Sequence, residues 1–549
     1  MATIEIDKRE FEELLGREVS ESELKEDASF LGAHWNPVEG HRWEVEVYPN
    51  RPDLLSVEGL ARAYRGFFGV ETGRDQYEIA EGDVEVYVDE SVEEVRPYIG
   101  GAVVRNLKLT TKKINGLIQL QEKLHETLGR RRDKLAIGLH DLEMIEPPFV
   151  YEAVEPEQVS FTPLEYDRDM HLGEILDEHE KGQEYAWILE DESRYPIIRD
   201  ADDRVLSFPP IINNQLTEVE PGTTDVFIDV TGKDHETVLK ALNILCTALA
   251  ERGGDLEYVM VENERLPDLK PSFTELDPEY FRSVSGLEIE DDEIVERLEK
   301  MKFDAEVSSG TIEVEVPAYR TDVMHQYDLV EDVVIAHGYD EISPSLPEID
   351  QIAEEKDIED YTRMFRDVLQ GTGALETHTY ILSNREKLFD RMDVVQVGVA
   401  EMSNALTQDY TVVRNWLLPS LMEVLERNRH RSYPQKFFEA GDVSVLDDSS
   451  TGASNRRKVA YVESSNSTDY TDVRQVLQVV ERDLELDFEF DQGARNCFRE
   501  KRSAEVYLEG EKVGFIGEFS DTVAESWGLE RPVAGFEIDL EKILELVKE

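Results

Sequence analysis

The sequence predicts an α+β protein of several domains, and three observations carry that expectation. Its 549 residues exceed by several-fold the roughly 150 residues that one hydrophobic core usually serves. Apolar residues switch repeatedly between helical and strand spacing along the chain. Glycine, proline and polar clusters divide it near residues 92, 268 and 346, giving regions 1–92, 93–268, 269–346 and 347–549.

In the first region, Asn50-Arg51-Pro52-Asp53-Leu54-Leu55-Ser56 turns into a helix, with Ser56 as its cap and Val57, Leu60 and Ala61 on one face. The second region is mixed α/β. There Ile114, Leu117, Ile118, Leu120, Leu124 and Leu128 predict a helix stopped by Gly129. Val238, Leu239, Ala241, Leu242, Leu245, Cys246 and Leu249 predict a second, entered near Asp234 and ended at Gly253-Gly254, so Cys246 is expected in the core.

The third region holds helix, strand and helix in fewer than 80 residues, which suggests a small winged-helix-like module. Ile294, Val295, Leu298 and Met301 mark the first helix. Ser308-Ser309-Gly310 turns into a strand through Ile312, Val314 and Val316 that Pro317 ends, and residues 326–337 form a helix closed by Gly338. In the fourth region, Val506 and Leu508, then Glu509-Gly510, then Val513, Phe515 and Ile516 spell a hairpin. Strands alternating with separate helices there predict an antiparallel sheet with helices packed on it.

Acidic residues number 122 against 58 basic ones, for a formal charge of −64 spread along the whole chain. A generic polyanion binder carries a basic footprint instead, and no DNA partner is expected. The dispersed excess, with arginine outnumbering lysine, reads as a surface adapted to molar salt, where the Debye length falls to about 3 Å. An acidic partner-binding face is the other reading. Hydrophobic residues at 40% exclude a disordered acidic polymer. Two distant cysteines, Cys246 and Cys497, a charged start and no apolar run of membrane-spanning length point to a cytoplasmic chain.

No glycine-rich phosphate loop of the G-x-x-x-x-G-K-[ST] type occurs, and His125-Glu126 and His235-Glu236 lack the second histidine of a zinc-protease helix. One carboxylate cluster separates itself: Asp322, Asp328, Glu331 and Asp332, of which the last three share a helix face at i, i+3 and i+4. Like charges at this spacing are unfavourable until a hard cation such as Mg²⁺ neutralises them, although acids in a first helical turn also complement the helix dipole. A second feature is the basic loop Arg130, Arg131, Arg132 and Lys134, suited either to a phosphate backbone or to pairing with acidic neighbours. The third is Ser207-Phe208-Pro209-Pro210-Ile211-Ile212-Asn213-Asn214, followed by Asp229-Val230-Thr231-Gly232. It reads either as polar groups converging on a ligand or as a rigid turn beside a buried strand.

Taken together, these segments resemble the phenylalanyl-tRNA synthetase β-subunit family in its shorter archaeal and eukaryotic-type form. The likeness is carried in order by residues 50–62, by 131–142 with its Ala136-Ile137-Gly138-Leu139-His140-Asp141 run, by 208–214, by 316–339, and by Arg414-Asn415-Trp416-Leu417-Leu418-Pro419-Ser420-Leu421 with Phe437-Phe438-Glu439-Ala440-Gly441.

The resemblance implies an N-terminal β-subunit domain at 1–92, an editing domain at 93–268, a B5-like module with a magnesium site at 269–346 and a class II synthetase-like domain at 347–549. It implies Mg²⁺ at Asp322, Asp328, Glu331 and Asp332. It implies Tyr-tRNA hydrolysis with Asp229, Thr231 and Asn213 as catalytic groups and substrate held by Ser207, Pro209, Pro210 and Ile211. In such a protein the local basic charge of Arg130, Arg131, Arg132 and Lys134 is expected to meet tRNA. The last domain lacks both the arginine-bearing glycine-rich motif and an Arg-x-Glu motif that would clamp ATP. By resemblance, ATP is therefore a substrate of the assembled enzyme, used on a separate α subunit in an (αβ)₂ heterotetramer that acts on tRNA(Phe). A non-enzymatic tRNA-binding or assembly subunit and a freestanding magnesium-dependent hydrolase are the competing readings.

Overall fold

A computed structural model describes all residues except 1, 27, 348, 350, 351, 494 and 549. The chain is a mixed α/β protein of two compact units, Met1–Ser345 and Leu346–Glu549.

The first unit begins with a three-stranded antiparallel sheet in which Arg42–Val47 lies between Ala2–Asp7 and Ala33–Glu39. Helices Lys8–Leu15 and Val57–Phe67 complete it, the second capped by Ser56 as its sequence predicts. Phe11, Trp35 and Tyr64 cluster edge to face between them, and Trp35 Nε1 donates to Tyr64 Oη at 3.0 Å.

A ten-stranded sheet dominates this unit. Its order runs Ile212–Asn213, Val205–Phe208, Tyr195–Arg199, Phe149–Val154, Ile79–Val88, Asp255–Val261, Tyr98–Arg105, Val226–Gly232 and Leu135–Asp141, with Glu264–Leu266 paired off Asp255–Val261. Ile79–Val88 runs parallel to Asp255–Val261 and to Phe149–Val154, so the sheet draws in a strand from before residue 93, where the sequence reading places a boundary. Parallel partners lie far apart in sequence and leave no local signal.

Helix His235–Glu251 packs on this sheet, capped by Asp234 as expected and followed by Gly253 at φ +82°, and Cys246 is fully buried along it. Helix Thr111–Glu126 ends earlier than its apolar spacing suggests. Thr127 Oγ1 donates to Lys123 O, Gly129 N–H donates to Leu124 O, and a Cβ at Gly129 would meet His125 O at 2.6 Å. Gly129 is thus required by close backbone approach instead of by a left-handed cap.

The remainder of the unit places Thr311–Val316 between Ser272–Leu276 and Asp304–Ser308. Helices Asp291–Lys300 and Gln326–His337 lie where the spacing predicts, Gly338 closing the latter at φ +97°. The outer strands and helix Pro278–Ser285 are additions that the sequence reading did not resolve.

The second unit is a seven-stranded sheet, antiparallel except where Leu375–Glu376 runs parallel to Gln435–Leu446. The expected hairpin joins Phe498–Leu508 to Glu511–Phe519 through Glu509 and Gly510, both at positive φ. Period-2 alternation feeds two cores. Ala460 and Val462 join Leu418, Leu421 and Leu425 of helix Leu418–Asn428 in one, while Val459 and Tyr461 join Phe365, Leu477 and Ile543 of three other helices in the other. Among the described residues no helix is long and apolar enough to cross a membrane.

Candidate functional site

Strand Val226–Gly232 is buried along its whole length, between Tyr98–Arg105 and Leu135–Asp141. Its central acid, Asp229, stands in register with Gly138 on one neighbour and Gly101 on the other. The glycine makes room: a Cβ at Gly138 would lie 1.9 Å from Asp229 Oδ2. The carboxylate crosses that space to His140, two residues along and therefore on the same face of the sheet. His140 Nε2 is 2.8 Å from Asp229 Oδ2, and its Nδ1 is 2.8 Å from Thr217 Oγ1. All three residues are buried.

A cavity of about 320 Å³ opens over this face. Ile114 and Leu117 of helix Thr111–Glu126 form one wall, and Pro209, Pro210 and Ile211 another. Ser207, Asn213 and Asp229 supply polar lining. The Ser207 hydroxyl is buried with no hydrogen-bond partner among the described residues, an arrangement that costs about 1–3 kcal/mol unless a ligand or water meets it. Asn213 Nδ2 donates to Leu139 O at 3.3 Å. Six of the seven residues expected for substrate handling thus share one cavity.

Thr231 does not. Its hydroxyl accepts Arg96 Nε at 3.0 Å, and Arg96 also donates to Thr231 O, Arg132 O and Asp133 O. Every one of these acceptors is neutral, and burial lowers the Arg96 guanidinium to about 10. The expected catalytic threonine is instead part of a clasp that ties its strand to the loop at 129–134.

That loop also departs from expectation. Arg130, Arg131 and Arg132 adopt φ of +47°, +59° and +66° in succession, which turns the third arginine inward. Arg132 is buried, donates to Pro210 O and Ile211 O at 3.2 and 2.9 Å, and pairs with Glu122 Oε1 at 2.7 Å. It holds the proline wall and is not available to a phosphate. Arg130 and Arg131 are exposed and Lys134 is half-buried.

Beside Arg132 lies a pair that sequence reasoning missed. Although burial works the other way, His125 and Arg132 hold Glu122 down to about 2. Burial lowers His125 to about 4, and its Nε2 accepts Ile137 N–H at 2.8 Å. The neutral ring therefore carries its proton on Nδ1, 3.5 Å from Glu122. His140, Thr217, Glu122 and His125 gave little local signal. The alternation at Gly138 and His140 marks a shared face, but the register with Asp229 arises across 89 residues.

Asp322, Asp328, Glu331 and Asp332 line a second cavity, of about 480 Å³. They do not form the cation cage expected of them. Arg320 binds Asp322 through both carboxylate oxygens at 2.9 and 2.8 Å and reaches Asp332 Oδ2 at 2.6 Å. Asp328 Oδ2 accepts the backbone N–H groups of Met324 and His325, both at 2.8 Å. Glu331 is exposed. Among the described residues no three carboxylate, histidine or cysteine groups are placed to hold a metal ion. The donors suit a hard cation chemically, but one guanidinium already occupies two of them, so the set does not fit a metal as it stands. This also removes support from the freestanding metal-hydrolase reading.

Comparison with known proteins gives consistent matches along the chain. Residues 274–339 match the family model described as the tRNA synthetase B5 domain, and 342–540 that of the phenylalanyl tRNA synthetase beta chain CLM domain. The phenylalanine–tRNA ligase beta subunit of Thermococcus sibiricus is 38% identical over 553 residues, covering 98% of both chains. That of Methanosarcina barkeri is 41% identical over 524 residues, covering 94% of this chain and 95% of the relative. The crystal structure of an N-terminal fragment of the phenylalanyl-tRNA synthetase β subunit from Pyrococcus horikoshii superimposes with a TM-score of 0.59 at 42% identity, covering 62% of this chain and all of the fragment. Identity at this level over nearly the whole of both chains shows that this chain belongs to the phenylalanyl-tRNA synthetase β-subunit family.

Proposed function

We propose that this chain is the β subunit of a phenylalanine–tRNA ligase and that the cavity beside Asp229 hydrolyses Tyr-tRNA(Phe). The observation that carries the editing reading is the buried Ser207 hydroxyl, without a hydrogen-bond partner among the described residues, in a cavity with apolar walls at Ile114, Leu117, Pro209, Pro210 and Ile211 that also holds the Asp229 carboxylate. Apolar walls accept an aromatic ring, and a phenol supplies the hydrogen bond that Ser207 lacks, whereas a phenyl ring leaves it unmet. Such a site complements synthesis, because an apolar pocket made for phenylalanine rejects an added hydroxyl by only about 10². Asp229 is the group that takes a proton from the attacking water.

Phenylalanine activation with ATP belongs to a separate α subunit in this reading, and Leu346–Glu549 packs against it in an (αβ)₂ assembly. Arg130, Arg131 and Lys134 meet tRNA phosphates, while Arg132 acts inside the protein. A magnesium ion at the Asp328 cavity would require Arg320 to release Asp322 and Asp332.

The test is tyrosine release from preformed Tyr-tRNA(Phe) by the full chain combined with its α partner. The wild type is expected to hydrolyse it faster than Phe-tRNA(Phe), and Asp229→Asn to lose about 10²–10⁴ in rate. Equal rates for the wild type and Asp229→Asn would favour a subunit that binds and assembles without editing.

A further inference from the structure

The structure assigns to His140, met on its other ring nitrogen by the cavity-lining Thr217, the positioning of Asp229 for ester hydrolysis, an assignment that rests on the editing reading above. His140 is fully buried and is not among the residues lining the cavity, so it acts through another group. Both of its ring nitrogens have partners at 2.8 Å, Asp229 Oδ2 on one side and Thr217 Oγ1 on the other. Phe227 stacks on the ring at a centroid distance of 6.0 Å and limits its tilt.

The hydrogen-bond directions follow from the partners. An ionised carboxylate only accepts, so His140 Nε2–H donates to Asp229. Nδ1 of the neutral ring is then left to accept the Thr217 hydroxyl proton. Thr217 Oγ1 also lies 3.1 Å from Asn214 O and has a single proton to give, so the Nδ1 lone pair at 2.8 Å and that carbonyl compete for it. The carboxylate thus sets the tautomer, Thr217 supports it by meeting Nδ1, and His140 fixes one carboxylate oxygen.

No hydrogen bond among the described residues reaches Asp229 Oδ1, and the residue lines the cavity. With Oδ2 fixed, Oδ1 is the atom that receives the proton as the water oxygen bonds to the ester carbonyl carbon. The ester C–O bond then breaks, and the departing ribose oxygen takes the proton that Asp229 received. Water is consumed, the free amino acid and the tRNA hydroxyl are formed, and His140 keeps its own proton throughout. Gly138 belongs to the same arrangement, since a Cβ there would also lie 2.8 Å from His140 Nε2.

The test measures hydrolysis of Tyr-tRNA(Phe) by the full chain with its α partner over a range of substrate concentrations. His140→Ala is expected to lower kcat by about 10- to 100-fold, the cost of misplacing a reacting group, with KM changed less than about two-fold. His140→Gln, whose amide N–H can replace the lost donor, is expected to recover most of that loss. Thr217→Val keeps the side-chain volume and removes only the hydroxyl, and is expected to lower kcat by about three- to ten-fold. The assignment is overturned if alanine and glutamine are equally impaired, if the loss lies in KM, or if His140→Ala matches the wild type. If the His140 variants fail to fold, Thr217→Val with unchanged kcat overturns it alone. A wild-type complex that leaves Tyr-tRNA(Phe) intact would instead defeat the editing reading, before His140 is reached.

Discussion

Asp229 and Glu537 are both buried acids at the centres of sheet strands, one in each unit, and they are satisfied in different ways. Glu537 Oε2 accepts the N–H groups of Leu417 and Leu418 at 2.8 and 3.1 Å, and Oε1 pairs with Lys458 at 3.0 Å. Glu439 in the same sheet is likewise bound at both oxygens, by Arg414 at 2.8 Å and Thr379 Oγ1 at 2.6 Å. Asp229 has His140 at one oxygen and a cavity at the other. A buried charge persists only where it is paired, so an acid bound at both oxygens serves the fold. An acid bound at one is held ready for something that arrives.

The sharpest way to break this contrast exchanges the losses. Asp229→Asn is expected to abolish most Tyr-tRNA hydrolysis while moving the thermal midpoint of the chain little. Glu537→Ala strips two helix N–H groups and a lysine of their acceptor and is expected to cost about 3–5 kcal/mol of stability in its own unit, with hydrolysis retained below the new midpoint. Calorimetry and deacylation on both variants decide the matter. Destabilisation by Asp229→Asn as large as that by Glu537→Ala would erase the distinction.

A second consequence concerns the cost of keeping polar groups at a cavity. The folded chain holds His125 near 4 against an ordinary 6.5, so the unfolded chain takes up a proton first as pH falls. Stability is therefore expected to decline from about pH 6.5 to pH 4 by up to roughly 3 kcal/mol, then level off with respect to this group. His125→Gln keeps an acceptor for Ile137 N–H and removes the titration. Its unfolding midpoint should fall less than that of the wild type between pH 7 and pH 4.5; identical curves would show that His125 titrates freely in the fold.

Ser207→Ala tests the same idea at a smaller scale. Removing a hydroxyl that has no partner is expected to leave stability unchanged or slightly raised, while the preference for Tyr-tRNA over Phe-tRNA falls by about ten-fold. Lost stability with preserved preference would make Ser207 a core residue and nothing more.

The contrast also explains what was legible in the sequence. Helix Gln326–His337, helix His235–Glu251 and the hairpin at Glu509-Gly510 are local patterns, and local patterns are written in adjacent residues. Ser207, Pro209, Pro210, Ile211 and Asn213 lie within seven positions, so their convergence needed only one loop. The partners of Asp229 were out of reach because strand register joins residues through the sheet and not along the chain. Thr231 was misjudged for that reason: its partner Arg96 lies 135 residues away. Arg132 was misjudged for another, since nothing in three consecutive arginines announces left-handed backbone.

That loop yields the smallest expected effect. If Arg130 and Arg131 each neutralise one tRNA phosphate, replacing both with alanine lowers the slope of log affinity against log salt by about 1.4–1.8, at about 0.7–0.9 per contact. In molar salt the affinities of the wild type and the double variant should then converge, since counterion release drives little binding there. Arg132→Ala makes the control from the same loop, because it removes the hold on Pro210 and Ile211. It is expected to slow Tyr-tRNA hydrolysis while leaving the salt slope alone. A slope lowered equally by Arg132→Ala would return that side chain to the surface, and an unchanged slope in the double variant would take the loop out of tRNA binding altogether.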